Sequence, residues 1–336
     1  MHQRRILKIN NSREEIVKMG LEVKDLSKKY GEKTVVDHVS FSMDKPGVYA
    51  LLGTNGAGKT TSIRMILDML DKDTGEVLWN GKPLSFDNCN IGYLAEERGL
   101  YQKYALMDQI MYFGRLRGVK DDELKKKIKY WSGRLKLDEY LYPAETKDAR
   151  GRIKKVKPKS PDQLSKGNQQ KIQFLIAMLS DPELLVLDEP FSGLDPVNTD
   201  ILKDVVREQI AEGKYIIMSS HQMASVEEFC TDITIMSRSK ALVQGNLNEI
   251  KKSYGRINLS LKCEQDVSSF INELGIQILS EKENEYELRV TGDQQANALL
   301  WNLVNATIPV IKFDLSELSL HEIFVREVGA NEEEQQ

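Results

Sequence analysis

The sequence predicts an α/β fold with a mixed, mostly parallel sheet, followed by a small α+β domain of ferredoxin-like order. Three observations carry this expectation. The runs VYALL (48–52), LLVLD (184–188) and YIIMSS (215–220) are apolar almost throughout rather than alternating, as in strands covered on both faces. Between Leu21 and about Asn248, strand-like runs alternate with helical stretches, the pattern of a layered α/β domain. From about Ile250 the pattern resets to short alternating strands and amphipathic helices in the order β-α-β-β-α-β, the split arrangement of a ferredoxin-like domain.

Taken in order, residues 1–20 are polar and form an N-terminal extension. Residues 1–18 read either as a frayed segment or as the upstream reading of a start at Met19. VYALL leads into a glycine-rich loop, and Ile63, Ile66, Leu67 and Leu70 then share one helical face. From about 100 to 180 the chain is expected to form a helical subdomain inserted between two sheet segments, with DDELKKKIKYWSGRLKL at its centre. Lys147, Arg150, Arg152, Lys154, Lys155, Lys157 and Lys159 crowd together. This run reads as a solvated loop, with contact to an anionic lipid or partner as the alternative. In the accessory domain, 249–330, RINLSLK is a strand, VSSFINEL a helix, IQILSEK and YELRVT a hairpin, QQANALLWNLVNA a helix and PVIKFDL a strand. The last helix, LHEIFVREV, has Leu320, Ile323, Phe324 and Val328 at core spacing. It is expected to close that domain's own core. The acidic tail 331–336 is expected to be disordered.

Composition narrows the class. A chain of 336 residues has room for two domains. The formal net charge of -4 supplies no basic field, which argues against nucleic acid as the main partner. The three cysteines, Cys89, Cys230 and Cys263, fit neither a metal spacing nor a disulfide framework, so a reducing compartment is expected. No apolar run approaches the roughly 20 residues that span a bilayer. The basic N-terminus lacks the apolar core of a secretory signal. A soluble, cytoplasmic chain is the expectation, which leaves docking on a membrane protein open.

The glycine-rich loop carries the first chemistry. Gly53, Gly58, Lys59 and Thr60 satisfy G-x-x-x-x-G-K-[ST]. Glycines let the backbone turn its N–H groups of Thr54, Asn55, Gly56 and Ala57 inward on phosphate oxygens. The helix that follows adds the positive end of its dipole. Lys59 is placed to reach the outer phosphates, Thr60 to put its hydroxyl on Mg²⁺, and Thr61 to contact a phosphate nearer the base. The ligand predicted is a nucleoside triphosphate. Hydrolysis is suggested by ELLVLDEP, where an apolar strand delivers Asp188 to its end, a place from which a carboxylate holds Mg²⁺. Neighbours on a strand face opposite sides, so Glu189 is expected to point elsewhere, at the attacking water.

LSKGNQQ, at Leu164–Gln170, precedes that strand and opens a helix with Ile172, Leu175, Ile176 and Leu179 on one face. Here the chain resembles the ATP-binding cassette (ABC) transporter ATPases, a phosphate-loop NTPase family with a leucine-serine-glycine-glycine-glutamine signature. Ser165 and Gly167 match the signature, while Lys166 stands for a glycine and Asn168 for the glutamine. The resemblance implies ATP and Mg²⁺ as cofactors and a head-to-tail dimer, expected to be a homodimer. In it, Ser165 and Gly167 face the γ-phosphate held by the partner's loop. Tyr30 resembles the aromatic that stacks on adenine, and His221 the switch histidine that contacts the γ-phosphate. SGLD, 192–195, resembles the loop that crosses the dimer interface. In IGYLAEERGLY, Glu96 stands where the family places a metal-contacting glutamine, with Glu97 beside it.

The resemblance spans about Leu21 to Asn248. LSLHEIFVREVG resembles the end of the accessory domain of exporter-type cassettes, including drug-resistance and sodium-efflux members. The implied function is an ATP-hydrolysing subunit at the cytoplasmic face of the membrane that energises export by a separate transmembrane permease. The alternative is a non-transport cassette ATPase acting on ribosome or DNA. Against it, the chain holds one cassette, and the span from Lys59 to Asp188 is too short for long coiled coils. A regulatory, non-hydrolysing sensor is opposed by the intact Asp188, Glu189 and His221.

Overall fold

The computed structural model describes residues 20–97, 99–142, 146–147, 153–154 and 158–333. The extension 1–18 and the side chains of the basic stretch up to Lys157 lie outside the described residues. In chain order a hairpin of β1 (Leu21–Tyr30) and β2 (Lys33–Met43) leads to β3 (Gly47–Gly53), α1 (Lys59–Ile66), β4 (Thr74–Trp79), β5 (Lys82–Pro83) and β6 (Ile91–Leu94). Helices α2 (Leu106–Leu116), α3 (Asp121–Arg134) and α4 (Asp138–Leu141) follow, then the short pair β7 (Thr146–Lys147) and β8 (Ile153–Lys154), and α5 (Lys166–Met178). The chain returns to the sheet with β9 (Leu184–Asp188), α6 (Pro196–Ala211), β10 (Tyr215–Ser220), α7 (Met223–Glu227), β11 (Asp232–Ser237) and β12 (Lys240–Asn246), and leaves it through α8 (Leu247–Tyr254).

Ten strands form one curled sheet in the order β5-β4-β1-β2-β12-β11-β3-β10-β9-β6. Strands β11, β3, β10, β9 and β6 are parallel neighbours, whereas β1, β2, β4 and β5 pair antiparallel. The continuous apolar runs have the expected cause. On β3, Val48, Ala50 and Leu52 face one core and Tyr49 and Leu51 the other. On β9, Leu185 and Leu187 face the first, and Leu184 and Val186 the second. Each side chain alternates faces, and both faces are covered. The first core also takes in Ile110, Leu124, Ile128, Phe174 and Leu175 of α2, α3 and α5, which seats the helical layer on the sheet. The second contains Ile63, Met65 and Ile66 of α1.

The second sheet is built from β13 (Arg256–Cys263), α9 (Ser268–Glu273), β14 (Gln277–Lys282), β15 (Glu285–Arg289), α10 (Asp293–Asn305) and β16 (Val310–Glu317). Its strand order, β14-β15-β13-β16, is antiparallel throughout and is that of a ferredoxin-like fold. Leu259, Leu261, Tyr286, Leu288, Leu299 and Leu303 fill a core of its own.

The last helix, α11 (Leu320–Glu333), corrects the sequence expectation twice. It continues to Glu333, into the stretch expected to be a disordered tail. It also does not close the accessory core. Leu318, Leu320 and Ile323 are buried in the first cassette core, with Met223 and Val226 of α7 and Leu247 and Ile250 of α8. Core spacing shows that a helix has an apolar face but not which domain receives it. A cut after residue 248 would also fall inside α8. Ile323→Ala in the full chain is therefore expected to destabilise the cassette by about 2–5 kcal/mol. Urea unfolding checks this, and an unchanged midpoint would contradict the placement of α11.

Candidate nucleotide site

The site forms where β3 passes into α1. Gly53 has φ 152° and Gly58 has φ 107°. A Cβ on Gly53 would lie 2.3 Å from the Met236 carbonyl oxygen, and one on Gly58 2.5 Å from that of Val35. Backbone conformation and close approach both demand glycine at these two points. Gly58 is the N-cap of α1, which has no side-chain cap and no acidic residue in its first turn. Its leading N–H groups are therefore free for an external anion. By contrast, Ser165 caps α5 and Asp195 caps α6 with their own side chains.

Lys59 lies folded within the loop. Its Nζ donates to the carbonyls of Gly53 (2.9 Å) and Thr54 (3.2 Å) and lies 3.3 Å from Glu189 Oε1. Glu189 Oε2 meets His221 Nδ1 at 2.8 Å. Thr60 Oγ1 donates to Asp188 Oδ1 at 3.2 Å, and Ser219 Oγ donates to the same oxygen. Strand β9 thus delivers both acids to the loop, by different partners. Asp188 ends the strand, and Glu189 adopts φ 49°. Strand alternation no longer governs its direction, and its side chain turns to Lys59 and His221 instead of simply opposing Asp188.

Asp188 is fully buried, and its Oδ2 has no hydrogen-bond partner among the described residues. Burial pushes its carboxyl above the usual carboxylate range, with Glu96 and Glu189 adding to the effect and the Ser219 and Thr60 hydroxyls opposing it. An orphaned carboxylate oxygen beside a threonine hydroxyl is a hard-oxygen donor set of the kind that suits Mg²⁺. Among the described residues no group of three His, Cys, Asp or Glu is arranged as a metal cage. Mg²⁺ in phosphate-transfer sites commonly uses one or two carboxylates and completes its shell with phosphates and water, so the residues present fit it.

A cavity of about 350 Å³ opens above these groups, lined by Asn55, Gly56, Gly58, Lys59, Thr60, Thr61, Glu96 and Glu189. Lys33, Val35 and Ser239 complete the wall. Glu96 faces the cavity, while Glu97 pairs with Arg64. Thr54 and the buried Ala57 shape the loop from behind. Tyr30 does not line the cavity. It is exposed at the end of β1, across the turn from Lys33, with Lys28 Nζ 5.7 Å from its ring centre. Ser165 and Gly167 are not in the cavity either. Ser165 accepts from the Asn168 N–H, and Gly167 is buried against Asn198 and Leu194 of the 192–195 loop and α6. Sequence reasoning missed Ser219, Lys33, Val35 and Ser239. Ser219 had a signal: a small polar residue in an apolar strand, placed by parallel pairing directly beside Asp188.

Asp188 holds its proton more tightly in the folded chain than in the unfolded one. That stabilising share is fully present below the unfolded aspartate pKa and is lost as pH rises through the raised folded value. At neutral pH the buried charge is a cost that a neutral isostere lacks. Asp188→Asn is expected to raise the thermal midpoint of the nucleotide-free chain at pH 7 by about 2–4 °C, the shift that ~1 kcal/mol produces in a domain of this size. The gain should shrink as pH falls into the carboxylate range. Calorimetry across pH checks both, and a lower midpoint at pH 7 would contradict them.

Residues 36–192 match the family model described as ABC transporter, and residues 245–328 match that of the ATP-binding protein DrrA1-3-like, C-terminal domain. The chain is 39% identical over 311 residues to the ABC transporter ATP-binding protein YhaQ of Bacillus subtilis, covering 92% of this chain and 99% of that protein. It is 30% identical over 234 residues to the Nod factor export ATP-binding protein I of Ralstonia nicotianae, 68% of each chain. A solved structure of the ATP binding subunit of an ABC transporter superposes with a TM-score of 0.60 at 29% identity, over 70% of this chain and 93% of that one. Likeness of this extent, running through the nucleotide cavity and on into the accessory sheet, makes the chain a member of the ABC transporter ATP-binding proteins, whose characteristic activity is ATP hydrolysis.

Proposed function

We propose that the chain powers export through a separate membrane permease, working as a head-to-tail pair of copies with two composite nucleotide sites. The observation that carries the catalytic part is the chain of contacts Lys59–Glu189–His221 beside the uncapped start of α1. Lys59 and the N–H groups of Asn55, Gly56 and Gly58 bind the phosphates, with Gly53, Thr54 and Ala57 setting the turn, in which the Ala57 N–H donates to the Thr54 carbonyl. Thr60, Asp188 and Glu96 hold Mg²⁺, which neutralises phosphate charge when bound. Glu189 orients and deprotonates the attacking water, and His221 fixes Glu189 through Nδ1. Tyr30, exposed at the mouth-side hairpin, stacks on the base, and Thr61 contacts an inner phosphate.

The paired arrangement is supported by the location of the signature residues. Ser165 is exposed at the start of a thirteen-residue helix and outside its own chain's cavity. The hydroxyl accepts one N–H and keeps its own proton free to donate to a partner's phosphate. No helix of the described residues is long and apolar enough to cross a membrane, which fits a subunit held peripherally at the cytoplasmic face by its permease. Tyr101, Tyr104 and Tyr112 form an exposed aromatic patch around a cavity of about 400 Å³, close in sequence to Glu96. An apolar helix of the permease would cover it. The direction of transport follows relatives named for Nod factor export and lantibiotic transport. The formal charge of -4 gives nucleic acid no electrostatic footing as the partner.

Glu189→Gln should retain nucleotide binding and slow turnover by about 10²–10⁴, the usual worth of a general base. Removing one negative charge near the γ-phosphate should also let Mg-ATP hold two copies together, seen as an earlier peak in gel filtration. Near-parental turnover would rule out Glu189 as the base. For the pairing, cysteines are placed next to Ser165 and in the phosphate loop, with Cys89, Cys230 and Cys263 replaced. ATP should promote crosslinks between chains, and crosslinks confined to single chains would contradict the head-to-tail arrangement.

A further inference from the structure

Helix α7 begins two residues after His221 and is five residues long. A single turn cannot hold itself in water, so tertiary contacts must set its place and that of the histidine before it. The first turn of α11 supplies them. Met223 and Val226 of α7 share a buried cluster with Leu318, Leu320 and Ile323. Glu227, at the end of α7 with its side chain 23% exposed, makes two bonds. Its Oε1 accepts from Lys251 Nζ of α8 at 2.7 Å, and its Oε2 accepts from the Leu320 N–H at 3.3 Å. That N–H is one of the orphan donors at the start of α11.

The same turn is tied to the accessory sheet by a second carboxylate. Ser319 and Glu322 form a reciprocal cap, with the Ser319 N–H donating to Glu322 at 2.9 Å and the Glu322 N–H to Ser319 Oγ at 3.2 Å. Glu322 also accepts from Asn258 of β13 at 2.8 Å and from Arg289 of β15 at 3.1 Å. The start of α11 therefore sits between two carboxylates, Glu322 facing the accessory sheet and Glu227 facing the segment that carries His221.

We propose that Glu227 is a positioning residue for ATP hydrolysis: it docks α7 on α8 and on the first turn of α11, and so holds His221 against Glu189. The accessory domain is then part of the catalytic set-up without touching nucleotide. Any displacement of α11 by a partner would loosen the His221 segment. This rests on the reading of Glu189 and His221 as the catalytic pair.

The test uses the full chain with Glu227→Ala and Glu227→Gln. Lys251→Ala removes one of the two bonds. Asp293→Ala, which removes only the exposed pair with Arg256 in the accessory domain, is the control. Turnover, ATP affinity and amide exchange over residues 221–227 are measured on each. Glu227→Ala should lower kcat about three- to tenfold, a typical size for a coupling change of this kind. ATP affinity should stay within about twofold, since no phosphate contact is lost. Exchange over 221–227 should rise, Glu227→Gln and Lys251→Ala should give part of both effects, and Asp293→Ala neither. Faster exchange with unchanged kcat would make the contact merely structural and overturn the proposal. So would unchanged exchange, or a loss of ATP affinity equal to the loss of kcat. If all Glu227 substitutions unfold the chain, Lys251→Ala decides by the same criteria. His221→Ala runs in parallel: parental turnover there would remove the reading of the histidine itself, whatever Glu227 does.

Discussion

Lys59 and Glu189 are each almost fully buried, and neither charge could stay there alone. An isolated ammonium or carboxylate at such depth would cost several kcal/mol. Paired, they fix the start of α1 against the end of β9, and the rest of the site is arranged around that contact. The loop carbonyls of Gly53 and Thr54 hold the other side of the ammonium, which keeps the glycine turn closed around it. His221 holds the far oxygen of the carboxylate. The ammonium is thus held between the loop carbonyls and the carboxylate, at the wall of the cavity.

The same economy of contacts explains why Asp188 and Glu189 behave differently though adjacent. Asp188 is the last residue of a buried parallel strand and meets two hydroxyls, and among the described residues its other oxygen has no hydrogen-bond partner. Glu189 is the first residue outside the strand, in a left-handed conformation that a side chain adopts only when its surroundings insist. The two carboxylates meet different groups because the backbone changes direction between them.

The accessory domain has its own sheet and core, yet the first turn of its final helix is buried in the cassette. Among the described residues, polar contacts of Glu227 and Glu322 and an apolar patch at the start of α11 help join the two parts of the chain. That point lies next to the segment bearing His221.

Much of this was legible in the residues. Continuous apolar runs pointed to strands covered on both faces, and the glycine-lysine-threonine spacing to a tight glycine turn at a helix start, because backbone geometry and local spacing suffice for both. The order β-α-β-β-α-β fixed the small domain for the same reason. What required the fold was everything that depends on distant segments meeting. Ser219 reaches Asp188 only through the parallel register of β10 on β9. That Glu96 lines the cavity while Glu97 stands outside it, beside Arg64 of α1, is likewise seen only in the folded chain. The apolar face of α11 was plain in the sequence, but its burial against α7 rather than the accessory sheet was not. Periodicity records that a face must be covered, and only the folded chain decides what covers it.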